Sequence, residues 1–282
     1  EIGVRLVGSE MCIRDSICLA GTSIAQESPL WMRHCALSPD GTTIAFTYKG
    51  DIYTVPSTGG RATQITTNPA FDTEPVWSPD SKQIAFASDR MGSLDVFVVS
   101  SEGGAPQRLT THSGSEKPVA YKDNKHILFT ANIAPSAEDA GFPSGQFQQV
   151  YEVAVTGGRP AMFSSMPMEC ISINKEGVML YQDKKGYEDY WRKHQVSPIA
   201  RDIWTYTPGK KPVYQKQTTF GSEDREPVWS PDGKSFYYLS EEKGSFNIFQ
   251  RTPGTTTSQQ ITFHTKPVSY THLRAHETDS YL

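Results

Sequence analysis

"PVWSPDSKQIAFASDR", residues 75–90, is the stretch that decides the fold. A short apolar run ends in Ser78-Pro79-Asp80, where proline presets the second position of a tight turn and aspartate completes it. A β-rich run from Ile84 to Ser88 follows, so the unit reads as a hairpin. Its first six residues return at 227–232, 152 positions later, followed by "GKSFYYLSEE". A self-match at that distance asks for a repeat architecture.

Working outward from residue 75, the same grammar recurs. "ALSPDGTTIAFTYKGDIYTVPSTGGRATQIT" (36–66) follows "VWSPDSKQIAFASDRMGSLDVFVVSSEGGAPQRLT" (76–110) nearly position for position. Weaker copies begin at Val119, Ser172 and Val228; aligned on Ser78, Tyr121, Ile173 and Ser230 they step by 43, 52 and 57 residues. Each copy holds a turn, a β-rich run, a polar loop, an alternating run such as "DVFVV", a Gly-Gly turn and a last short run ending in Leu-Thr or Ile-Thr. Four short strands per repeat cannot bury their faces alone and must stack radially on neighbours, which is a β-propeller blade. A β-sandwich would not repeat its sequence, and solenoid repeats are shorter or helical. The fold expected is all-β, a propeller of four-stranded blades at about 36–66, 76–110, 118–164, 170–219 and 228–262.

The two ends read differently from the middle. Leu6 to Ser16 can be back-translated so that its reverse complement encodes "VSYTHLRAHE", Val268 to Glu277. One DNA element thus flanks the insert in both orientations, resembling a transposon-type sequencing adapter. Residues 1–16 and 268–282 are therefore set aside as artefact, together with Cys12, His272 and His276, and the gene is expected to be cut at both ends. "ICLAGTSIA" (17–25) reads as the remnant of a secretory signal peptide, with a buried strand as the other reading; the propeller then occupies 26–267. Export to the periplasm or beyond is the expectation, with no lipid anchor and no membrane insertion after cleavage.

Residues 26–266 carry 24 basic and 26 acidic side chains. That balance argues against nucleic acid or an anionic membrane as partner. Cys35 and Cys170 give neither a disulfide framework nor a metal-type spacing, though one bridge between them stays open. No cofactor is implied. There is no Gly-x-Ser-x-Gly elbow and no His-Glu-x-x-His, and His34, His112, His126, His194 and His264 stand in no spacing that advertises a nucleophile. No catalytic, cofactor-binding or metal residue is assigned.

Successive hairpins of a meander point to opposite ends, so the Ser-Pro-Asp and Gly-Gly turns share one face of the disc. Two long insertions, 132–148 and 183–201, fall between second and third strands and so reach the other face. Long loops in a compact domain concentrate function, which makes that the expected working face. Its densest polar-aromatic group runs through Tyr187, Glu188, Asp189, Trp191, Arg192, Lys193 and His194 to Arg201 and Asp202. Two readings stand: the charges pair among themselves and stabilise the insertion, or Trp191, Arg192, Lys193, His194 and Arg201 contact a peptide or another domain. Arginine suits a carboxylate because its planar fork meets both oxygens.

The repeat resembles the TolB-type propeller repeat, shared by many exported proteins and by the propellers of prolyl-oligopeptidase-like enzymes. "PLWMRHCALSPDGTTIAFTYKGDIYTVPSTGG" (29–60) and "KKGYEDYWRKHQVSPIARDIW" (184–204) are more specific and resemble the N-terminal propeller of tricorn-type serine peptidases. That resemblance implies six blades, of which five are visible here, so the ring is expected to be incomplete with open strand edges. It further implies a second propeller, a PDZ domain and a catalytic serine-peptidase domain elsewhere in the parent protein. The implied role is filtering or channelling of oligopeptides, with the downstream domains and further copies of the chain as partners. The alternatives are a TolB-like periplasmic scaffold that binds proteins, and the propeller of a prolyl-oligopeptidase-like hydrolase.

Overall fold

The computed structural model describes residues 3–4, 32–133, 147–186 and 196–265. After β1 (Gly3–Val4), the chain builds five antiparallel four-stranded sheets in succession. The first holds β2 (Arg33–Leu37), β3 (Thr43–Tyr48), β4 (Asp51–Pro56) and β6 (Thr63–Gln64), while the two-residue β5 (Gly60–Arg61) pairs with β1. The second holds β7 (Asp72–Trp77), β8 (Gln83–Ser88), β9 (Asp95–Ser100) and β10 (Gln107–Arg108). The third holds β11 (Lys117–Asp123), β12 (His126–Ala131), β13 (Gln149–Ala154) and β14 (Ala161–Ser164). The fourth holds β15 (Met168–Ile173), β16 (Met179–Asp183), β17 (Ile203–Thr207) and β18 (Val213–Lys216), and the fifth β19 (Asp224–Trp229), β20 (Phe236–Ser240), β21 (Asn247–Arg251) and β22 (Ser258–Gln260). First strands of neighbouring sheets lie side by side, β2 on β7, β7 on β11, β11 on β15 and β15 on β19. The chain is a propeller of five described blades, with no helix among the described residues.

The repeated letters have packing reasons. An aromatic of the second strand stands opposite one of the third in every blade: Phe46 and Tyr53, Phe86 and Phe97, Phe129 and Tyr151, Tyr181 and Trp204, Tyr238 and Phe249. Such cross-strand aromatic pairs add roughly 0.5–1.5 kcal/mol beyond the area they bury. Blade faces then close on one another. Ala45, Ile52 and Ile65 of the first blade meet Trp77, Ile84 and Phe86 of the second, and Leu180 and Ile203 of the fourth meet Phe236, Tyr238 and Phe249 of the fifth. The tryptophan of "PVWSPD" ties this seam: Trp77 Nε1 donates to Ala36 O of the preceding blade at 2.9 Å, and Trp229 Nε1 to Val178 O at 3.1 Å.

Strand pairing corrects the sequence alignment by one residue in two blades. Trp77 pairs with Ile84 and Trp229 with Phe236; Tyr121 pairs with Ile127 and Ile173 with Met179. Tyr121 and Ile173 therefore occupy the tryptophan position, not that of Ser78. The first strands also begin ahead of the apolar pattern because each is bulged, with register shifts at Arg33/Ala36, Thr73/Val76, Pro118/Ala120, Glu169/Ser172 and Arg225/Val228. At the bulge a non-glycine residue turns left-handed in four blades: His34 (φ 51°), Glu74 (54°), Cys170 (52°) and Glu226 (51°). In the third blade that position is Pro118, whose ring forbids positive φ. Each left-handed residue costs about 1–3 kcal/mol, so the surrounding ladder must hold it in place.

Candidate functional site

The two faces of the disc are built from different chemistry. On the turn face, Ser38, Ser78 and Ser230 donate to Asp40, Asp80 and Asp232 at 2.6, 2.7 and 2.6 Å. Those hydroxyls also accept the backbone N–H groups of Thr43, Gln83 and Ser235. The serine hydrogen bonds hold all three carboxyls below the usual range. Gly41 and Gly233 take the left-handed turn position at φ 74° and 69°, which glycine alone occupies without steric cost. "SPDG" is thus a self-contained turn that needs no ligand.

On the opposite face the Leu-Thr and Ile-Thr endings, and Gln217-Thr218 in the fourth blade, find their purpose. Thr66, Thr110, Thr218 and Thr262 accept the N–H of Ile52, Val96, Ile203 and Ile248 at 2.9–3.0 Å, closing the outer strand onto the start of the third. The residue before each of those amides is an acid or amide, and the fourth strand answers it. Gln64 donates to Asp51 at 3.0 Å, Arg108 pairs with Asp95 at 2.9 Å, and Lys216 pairs with Asp202 at 2.8 Å. A second acid then arrives from the next blade. The N–H groups of Asp72, Glu116 and Asp224 donate to Gly50 O, Leu94 O and Arg201 O at 2.7, 2.7 and 3.1 Å, which sets each acid beside Asp51, Asp95 and Asp202 respectively.

These three seams differ in how the second charge is met. Asp72 is fully buried, and Arg90 holds both its oxygens at 3.0 and 2.9 Å while lying over the Phe97 ring at 4.6 Å. Glu116 is also fully buried, with neither oxygen hydrogen-bonded in good geometry; burial, then the Asp95 charge, raises its carboxyl. At the last seam Glu242 occupies the place that Arg90 has in the second blade. Burial, helped by the Asp202 and Glu242 charges and opposed by the Ser240 and Thr218 hydroxyls, pushes Asp224 up to about 7.

Between the fourth and fifth blades lies the base of the second insertion. Lys185 Nζ donates to Ala200 O at 2.6 Å and also binds Asp202; Ser197 N–H donates to Gly221 O at 3.3 Å. Arg201 is buried here, its Nε on Glu169 at 3.2 Å and its Nη1 3.6 Å from Glu223. Lys184 joins Glu169 at 2.9 Å, and Arg225 joins Glu223 at 2.7 Å. Glu169 and Glu223 hold the Arg201 guanidinium above its ordinary pKa against the effect of burial. Arg201 is thus committed to pinning blade four to blade five. Trp191, Arg192, Lys193 and His194 lie outside the described residues, as do Tyr187, Glu188 and Asp189.

The histidines scatter. His126 Nδ1 meets Asp123 at 3.0 Å, His112 Nδ1 accepts Gly114 N–H at 3.0 Å, and His264 N–H donates to Asn247 at 2.7 Å. His34 sits at the first-strand bulge. Cys35 and Cys170 form no disulfide. Among the described residues no group of three or more His, Cys, Asp or Glu side chains could hold a metal. Sequence reading missed the seam acids, whose signal was present: Asp72 and Asp224 each stand two residues before an "EPVW", answered by Arg in "SDR" and by Glu in "SEE".

Fold and faces define a β-propeller elaborated on one side. Residues 29–279 match the family described as the tricorn protease N-terminal beta propeller domain, and the chain belongs to that family. It is 32% identical over 108 residues to the uncharacterized peptidase YuxL of Bacillus subtilis (strain 168), covering 34% of this chain and 16% of that protein. It is 39% identical over 77 residues to tricorn protease homolog 1 of Streptomyces coelicolor, covering 27% of this chain and 7% of that protein. The chain therefore spans only a small part of either relative. Among solved structures it is similar to the tricorn protease, with a TM-score of 0.67, 16% identity and coverage of 84% and 23% of the two chains. It is also similar to a TolB from Agrobacterium tumefaciens, with a TM-score of 0.64, 14% identity and coverage of 83% and 81%.

Proposed function

We propose that this chain is the non-catalytic propeller of an exported tricorn-type serine peptidase, and that its insertion face filters or channels oligopeptides toward a catalytic unit elsewhere in the parent protein. The observation that carries the reading is one-sidedness. The connections β12–β13 and β16–β17 leave adjacent blades on the same face, while on the opposite face the first, second and fifth blades end in compact Ser-Pro-Asp turns held by their own serine hydroxyls. Membership of the tricorn propeller family supports the peptidase context, and "ICLAGTSIA" supports export to the periplasm or beyond.

In this reading Arg192, Lys193, His194 and Trp191 meet the peptide or the next domain, and Arg201 contributes by anchoring the base of the insertion. The test is titration of fluorescent peptides of graded length against the chain and against R192Q/K193Q. Saturable binding that the double variant weakens about tenfold or more supports it. Equal binding by both proteins refutes the assignment of the cations. Failure to bind any peptide, with capture of a folded protein instead, refutes peptide handling and leaves a scaffold.

A further inference from the structure

The seam between the fourth and fifth blades differs from its counterpart between the first and second in one exchange of charge. In the second blade Arg90 reaches back to Asp72 from the loop after β8 and neutralises it. In the fifth blade the loop after β20 presents Glu242 at that place, and Asp224, only 1% exposed, has neither oxygen hydrogen-bonded in good geometry. The cations that do enter this seam are already engaged: Lys185 and Lys216 on Asp202, Arg201 on Glu169 and Glu223, Arg225 on Glu223.

Around Asp224 the fourth blade contributes Asp202 with those two lysines, and Asp183, which shares Lys185. The strand's own neighbours are Glu223 and Arg225; β20 brings the Tyr238 phenol and the Ser240 hydroxyl, and the segment after β18 brings Thr218. Lys243 lies on Glu242 and Arg251 on Thr255 O, so among the described residues a second carboxylate charge placed there meets only cations already engaged, and burying such a charge costs several kcal/mol. The group answers by holding its proton instead. The Asp224 N–H meanwhile donates to Arg201 O, at the base of the insertion, so the same residue joins the blades through its backbone.

We propose that this seam is a proton-dependent clasp, in which neutral Asp224 lets the fifth blade close on the insertion base at Ala200–Asp202, and release of its proton to water loosens that contact near neutral pH. The raised carboxyl, at about 7 against an ordinary 3.8, agrees with the geometry. The sign is fixed by linkage: an acid whose folded pKa lies above its unfolded value favours closure at low pH, loses that advantage between the two values, and changes nothing above the higher one. With those two values, the opening equilibrium of the seam rises about tenfold between pH 6 and pH 8.

The experiment is amide hydrogen exchange on the whole chain at pH 6 to 8, corrected for the intrinsic exchange rate and read at the amides of Ile203, Gln217 and Asp224. These bond across or beside the seam. The wild type should show the tenfold rise, and D224N, a fixed mimic of the neutral acid, should show none. A flat wild-type profile, or the same rise in D224N, overturns the proposal. Should D224N fail to fold, E242Q gives an independent reading. Removing that charge must move the wild-type midpoint to lower pH, and an unmoved midpoint overturns the proposal equally. A carbon-13 carboxyl titration placing Asp224 below about pH 5 would also sink it.

Discussion

Arg90→Met is the perturbation that tests the seam chemistry most sharply. Arg90 is 11% exposed, holds both oxygens of a fully buried Asp72, and donates through Nε to Ser88 Oγ at 2.8 Å. Methionine keeps an unbranched apolar stem against Phe97 and Phe86, so little packing is lost. What remains is a buried carboxylate without its cation, facing Asp51 across the seam, and breaking such a pair costs about 3–5 kcal/mol. In urea, with a slope near 2 kcal/mol/M for a small domain, the midpoint falls by about 1.5–2.5 M. D72N/R90M, which removes both charges, should recover most of the loss. The reasoning is refuted if R90M costs less than about 1 kcal/mol, or if D72N/R90M recovers none of the loss.

Two further substitutions probe the repeat itself. Phe129→Ala empties a fully buried ring stacked on Tyr151 at 5.7 Å and facing the second blade, and should lower unfolding free energy by about 3–5 kcal/mol in the same assay. Thr110→Val is nearly isosteric but strands the Val96 amide, now bonded to Thr110 Oγ1 at 2.9 Å; a loss of about 1–3 kcal/mol and faster exchange of that amide are expected.

How legible the molecule was from its letters can be judged from particular residues. The turns announced themselves, because Ser-Pro-Asp-Gly satisfies its own hydrogen bonds within a few residues and needs no tertiary context. The Thr of Leu-Thr was visible as a pattern, but not as the acceptor of an amide some fourteen residues away, since that pairing depends on how the third and fourth strands meet. First strands were shortened in the reading because a bulge breaks the period-two alternation at His34, Glu74, Cys170 and Glu226, and because Asp72, Glu116 and Asp224 are charged residues in buried positions. For Arg201 two readings stood, a charge paired within the protein or a donor open to a peptide or another domain. Its actual partners, Glu169 and Glu223, come from different blades, and no local pattern joins residues so far apart in sequence.

Whether the insertion face handles peptides, as proposed, is decided by mapping where a peptide touches the chain. Amide exchange of the chain should be compared with and without a saturating oligopeptide, following the insertion stems at 147–149 and 196–203 against the turns at 38–41, 78–81 and 230–233. Protection confined to the insertion stems is the predicted result. Protection confined to the turns, or none at a peptide concentration that saturates binding, would contradict the claim.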